Sequence, residues 1–190
     1  LSYIKDVLKN RPTDWLNLTT HRLDVYDEKR AKTQFLEQLD SLFNSNNSEA
    51  SALKKLPTAY DYIRLGHPLS SLLEWTIAKL QDLKPENVIS FSSQTIPVLA
   101  ILRKNLLDPK KTQINYTGTV PNTFDTDVLR RVYGYQFELK HVENAAAVSE
   151  FDGSTIFISQ QEDLSKVTLS NSIDFFITSL AQLGSVVFVN

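Results

Sequence analysis

ENVISFSSQTIPVLAILRKNLL, residues 86–107, carries the clearest mark of the fold. It opens with a short apolar run at 87–91, passes through Ser92, Ser93, Gln94 and Thr95, and continues as a long apolar segment. That order is a strand, a hydroxyl-rich turn and a helix, with the turn at the strand's carboxyl end, where open α/β sheets bind their ligands. The turn gathers two serine hydroxyls, a threonine hydroxyl and a glutamine amide beside the unpaired N–H groups at the positive end of a helix. Such a turn suits a phosphate. The same hydroxyls also suit helix capping, and spacing alone favours the cap.

Working outward, the segments 112–116, 135–142, 154–159 and 185–189 read as further strands, rich in β-branched and aromatic residues. Helices are expected over 125–133, stopped by Gly134, and over 171–183. Strands separated by helices imply right-handed crossovers and an α/β fold with a mainly parallel sheet covered by helices on both faces. Upstream, a helix starts near Leu69 and ends before Pro85, and helical spacing recurs over 1–10 and 28–43. The polar stretch 44–51 separates these last two from the remainder of the chain. We therefore expect a helical N-terminal extension, residues 1–56, and an α/β domain, residues 57–190.

Composition narrows the function classes. With 190 residues, 42% hydrophobic and 22% charged, the chain can bury one α/β core. A net charge of −2, with Lys and Arg scattered, leaves no basic face for nucleic acid or anionic lipid. Cysteine is absent, which removes disulfides, thiolate nucleophiles and cysteine metal sites. No apolar run reaches membrane-spanning length, and LSYIKDVLKN lacks the features of a signal peptide, so we expect a cytoplasmic protein without a membrane partner. The lack of Met, including at position 1, leads us to expect a fragment or a processed form.

His21, His67 and His141 are too separated for a recognisable ligand spacing and read as hydrogen-bonded structural residues. The serines of SFSSQT lack the flanking glycines of a nucleophile elbow, and the turn has neither a dinucleotide nor a P-loop fingerprint. Tyr116 and Asn190 each end an expected strand. A parallel sheet would bring both to the edge that carries the 92–95 turn, Tyr116 as a stacking aromatic or a half-buried rim tyrosine.

At this point the pattern resembles the large domain of the fold-type-I pyridoxal-phosphate enzymes, the aminotransferase and sulfur amino-acid lyase superfamily. The resemblance runs from about Tyr60 to Asn190. It rests on YDYIRLGHPLSSLLEWTIAKL, on VISFSSQTIPVLAIL as strand, phosphate turn and helix, on INYTGT, and on GSVVFVN. It implies that Ser92, Ser93, Gln94 and Thr95 hold the phosphate of pyridoxal 5'-phosphate, that Tyr116 stacks on the ring, and that Asn190 sits by the ring nitrogen. It also implies an amino-acid substrate if the chain is active, and a homo-oligomer or a protein partner. The departures fall on the chemistry. Gln94 stands where the family has Gly, and Asn190 where it has Asp, whose charge keeps the ring nitrogen protonated. FISQQEDLS lacks the family's Asn-Pro loop, and the segment with the Schiff-base lysine is not among these residues. Two readings result: the N-terminal part of a pyridoxal-phosphate-dependent transferase or lyase, or a non-catalytic relative kept as an interaction or scaffold subunit.

Overall fold

The computed structural model describes residues 2–16, 28–57, 67–120, 124–180 and 184–190, with side chains from residue 33 in the second segment. His21, the YDYIRLG portion at 60–66 and the three residues 181–183 lie outside them. The chain divides into two compact units, residues 1–79 and 80–190.

The first unit is helical: α1 (Ser2–Asn10), a 3-10 turn (Thr13–Leu16), α2 (Glu28–Asn44), the single-turn α3 (Ala50–Leu53) and α4 (Pro68–Leu80), whose last residue crosses into the second unit. Tyr3 and Val7, four apart on α1, and Phe35 and Leu39, four apart on α2, fall on single helix faces and are buried. Together with Trp15, Leu53, Leu72 and Trp75 they form this unit's core. Phe43 sits edge-on between Tyr3 (5.2 Å) and Trp75 (5.1 Å). The Trp75 indole N–H donates to Asp40 at 3.3 Å, and the Lys79 ammonium lies 2.7 Å from the same carboxylate oxygen. These contacts draw Asp40's carboxyl below its ordinary pKa, the Lys79 hydrogen bond first.

The second unit is built on six strands: β1 (Val88–Phe91), β2 (Thr112–Tyr116), β3 (Glu138–His141), β4 (Ser154–Ser159), β5 (Phe175–Leu180) and β6 (Gly184–Val189). They form one sheet in the order β1-β6-β5-β4-β2-β3. Pairings β2·β3, β2·β4 and β4·β5 are parallel, whereas β6 runs antiparallel to both β5 and β1. The α/β class and the mostly parallel sheet agree with the sequence pattern; the mixed character is new.

The cause of the difference is β5. The sequence pattern predicts a helix over 171–183, but Phe175–Leu180 is a strand whose central residues are buried. A continuous apolar run fits a doubly buried strand as well as it fits a helix face, and β-branched and aromatic residues favour the strand. Three residues then separate β5 from β6, too few for a parallel crossover and enough for a hairpin.

Alternation sorts the strands into two faces. Ile114, Ile156, Ile158, Ile177 and Val187 point to one, where α5 (Ile96–Leu107) covers them with Val98, Ile101 and Leu102, and α6 (Thr126–Arg131) with Leu129. Phe157, Phe176 and Phe188 point to the other and are buried, with successive ring centroids 5.0 and 6.1 Å apart. Asp125 caps α6 by accepting from the N–H groups of Asp127 and Val128, and Gly134, at φ +71°, comes after it as the expected stop. At the foot of α5 the buried Asn105 donates to the Thr112 hydroxyl at 2.8 Å, joining helix to strand.

Candidate functional site

The turn at 92–95 joins β1 to α5, as its sequence demands, and the structure shows what its polar groups do. Ser93 Oγ accepts from the backbone N–H of Thr95 (3.2 Å) and of Ile96 (3.3 Å). Pro97 supplies no N–H. Thr95, the residue that starts the helix, makes no capping bond with its own side chain; its hydroxyl lies 3.4 Å from that of Ser93. Two of the N–H groups that a phosphate could use at this end of the helix, those of Thr95 and Ile96, are therefore engaged by Ser93. Ser92 is exposed, and Ser93, Gln94 and Thr95 are half-buried.

The other side of the turn is closed by the β5–β6 hairpin, a contribution that sequence reasoning missed. Gln94 Nε2 donates to the Leu180 carbonyl at 3.2 Å, and Ser185 Oγ donates to the Ser93 carbonyl at 2.6 Å. Gly184, at φ +101°, brings its backbone against Phe91 and Ser92. The one available signal was the Gly-Ser pair opening an apolar run, since Gly commonly marks close approach between backbones.

Tyr116 ends β2 at the same sheet edge as the turn, with β4, β5 and β6 between it and β1, about 19 Å of sheet at ordinary strand spacing. Its ring meets His141 edge-on at 5.3 Å. Asn190 requires a correction. Because β6 is antiparallel, its carboxyl end lies at the edge opposite the turn: Val189 pairs with Phe175, the first residue of β5, and Ser185 pairs with Phe91. There the Asn190 amide donates to the Ser170 carbonyl at 3.1 Å and its backbone N–H donates to the Asp174 carbonyl. The structure thus brings Ser92, Ser93, Gln94 and Thr95 together, leaves Tyr116 at a distance on the same edge, and removes Asn190 from the group.

The histidines divide. His67 Nδ1 accepts from the N–H of Leu69 at the start of α4, a structural use, while its buried Nε2 has no hydrogen-bond partner among the described residues. Among the described residues no group of three or more His, Cys, Asp or Glu is placed to hold a metal ion, and no helix is long and apolar enough to cross a membrane.

Pyridoxal phosphate does not fit these residues as they are arranged. Ser93 accepts from the N–H groups of Thr95 and Ile96, Gln94 spans the turn to Leu180, and the Asn190 side chain does not reach that edge. No protein-family model matches the sequence, and no curated protein matches it.

Proposed function

We propose that the second unit is a non-catalytic relative of the pyridoxal-phosphate transferase large domain, retained as an interaction or scaffold subunit that works with a protein partner or a second copy of itself. The observation that carries this reading is the closed turn. Ser93 Oγ takes the N–H groups of Thr95 and Ile96, and Gln94 and Ser185 fasten the turn to the β5–β6 hairpin. A turn that satisfies its own donors supports the fold rather than a ligand, because displacing such bonds costs about 1 kcal/mol each before any gain.

Spectrophotometric titration with pyridoxal 5'-phosphate tests the reading, with thermal-shift measurements in inorganic phosphate alongside. The expected result is no saturable absorbance band near the visible edge and no phosphate-dependent stabilisation. A saturable band accompanied by turnover of an amino acid would establish the transferase or lyase reading instead.

A further inference from the structure

Topology carries the carboxy-terminal ends of α5 and α6 to one edge of the sheet. α5 leads from the end of β1 to the start of β2, and α6 lies between the end of β2 and the start of β3. β1, β2 and β3 share one direction, and both helices pack on the Ile114 face. The two helix ends therefore approach the amino edge, opposite the 92–95 turn. A concave space of about 290 Å³ lies there, bounded by Leu106 and Pro109 at the end of α5, by Lys110 and Lys111, and by Gln136 after α6.

This edge gathers cations that look scattered along the sequence. Residues 103–111 and 130–137 hold six cations and one carboxylate, a charge of +5 in a chain of net charge −2, so the remaining residues sum to −7. Asp108 and Glu138, the carboxylates that feel Lys110 and Lys111, are already held by Lys104 (2.7 Å) and Lys140 (3.3 Å). Arg103, Lys110, Lys111 and Arg131 are exposed and make no ion pair among the described residues. Helix ends explain part of this, since Lys104, Arg130 and Arg131 sit in last turns, where cations complement the carbonyl end of the helix dipole. Lys110 and Lys111 lie beyond α5, where that account does not reach.

The same edge exposes apolar side chains in pairs. Leu106 is 52% exposed and Leu107 73%, while Val132 is 72% exposed and Tyr133 57%. Tyr133 is held in place by stacking on the buried Tyr135, with ring centroids 5.9 Å apart and planes 8° from parallel. A fixed aromatic that keeps more than half its surface in water is the kind of anchor that interfaces use. Within the concavity the buried Asn105 amide donates to the Thr112 hydroxyl at 2.8 Å, and no buried polar side chain there lacks a partner, so the space suits an apolar group.

Charge decides the occupant. A second copy docked by twofold symmetry would set this positive edge against itself. Nucleic acid and anionic membrane match in sign, but exposed leucines serve no phosphate backbone, and a recessed space suits an inserted side chain rather than a flat lipid surface. We propose that this edge docks an acidic segment of a protein partner, one apolar side chain entering the concavity between Leu106 and Gln136 and its carboxylates meeting Arg103, Lys110, Lys111 and Arg131. The proposal rests on the scaffold reading above and names the chemistry of the partner.

A phage-displayed library of random peptides, panned on the full chain, tests it. Enriched peptides carry Asp or Glu beside Leu, Ile, Phe or Trp, and a synthetic copy binds saturably by fluorescence anisotropy. Its affinity falls about tenfold or more, roughly 1.4 kcal/mol, in a chain carrying Arg103→Glu and Lys111→Glu together, and likewise in Leu107→Asp. Glu143→Lys, at the carboxyl edge, leaves it unchanged. Exchanging the peptide's carboxylates for lysines restores binding to the charge-reversed chain. Should circular dichroism show that chain unfolded, Lys110→Glu with Arg131→Glu takes its place. Failure to enrich acidic peptides, binding indifferent to the charge-reversed variant, or tighter binding of this edge to phosphatidylserine vesicles or duplex DNA than to the peptide overturns the proposal. Such a failure in a chain with no pyridoxal-phosphate band strikes this surface and leaves the scaffold reading standing, whereas cofactor-dependent amino-acid turnover strikes that reading itself.

Discussion

A Cβ placed on Gly184 would stand 2.0 Å from the carbonyl oxygen of Phe91, on the neighbouring strand β1. The obstruction is backbone and cannot swing aside, and φ at Gly184 is +101°, where L side chains are strained. Gly184→Ala should lower stability by about 3 kcal/mol, through strand separation and backbone strain together. Gly118→Ala is the control. Its φ is +65°, but the nearest obstacle is the end of the flexible Gln160 side chain, so about 1 kcal/mol is expected. Urea denaturation of both variants checks the ranking, and equal losses would contradict it.

Ser92 and Ser93 are neighbours with unequal duties. Ser93 accepts two N–H groups at the start of α5, while Ser92 is exposed and makes no side-chain hydrogen bond among the described residues. Ser93→Ala should cost about 1 kcal/mol, the usual range for a lost cap. Ser92→Ala should stay within about 0.5 kcal/mol of the parent. A phosphate cradle in use would make both serines matter for ligand binding, so paired stability and phosphate-binding measurements separate the two roles.

Asn190→Asp restores the acidic residue that the family resemblance expects, but at the wrong edge of the sheet. The side chain there donates to the Ser170 carbonyl. A carboxylate would lose that bond, at a cost of about 1 kcal/mol, and should confer no affinity for pyridoxal phosphate in an absorbance titration. A gain of cofactor binding would show that this end of β6 can reach the 92–95 turn.

Asp40 gives the helical unit a pH dependence. The hydrogen bond from Lys79, followed by the lesser contributions of its charge and of Trp75, holds the Asp40 carboxyl below its ordinary pKa. The folded value is thus below the unfolded one, so the contribution is complete above about pH 4 and is lost as pH falls through the folded value. Both side chains are substantially exposed, 43% for Lys79 and 37% for Asp40, which limits the pair to about 0.5 kcal/mol after solvent screening. Lys79→Gln should flatten the acid limb of a stability profile and leave its shape near neutrality unchanged. An acid limb identical to the parent's would remove Asp40 from the account.

Much of the architecture was legible in local residue patterns. The β1–turn–α5 unit, β2, β4 and β6, the amphipathic α1 and α2, and α6 with Gly134 behind it all come from periodicity and from the few residues that stop helices; Asp125, expected inside that helix, caps it instead. Spacing also offers Ser92, Ser93 and Thr95 as caps, and Ser93 serves as one. The segment 173–180 was misread, because the apolar pattern of IDFFITSL fits a helix face and a buried strand alike; its β-branched and aromatic residues lean towards the strand, and its place between β4 and β6 completes the selection.

That selection determines the rest. With β5 in the sheet and β6 following so closely in sequence, β6 pairs antiparallel to it, and Asn190 lies at the far edge. Which segments carry apolar faces and which turn holds the hydroxyls could be read directly, because both depend on near neighbours along the chain. Strand direction and the closing of the turn by Gln94 and Ser185 come from the tertiary fold, because each joins residues far apart in sequence whose meeting depends on strand order.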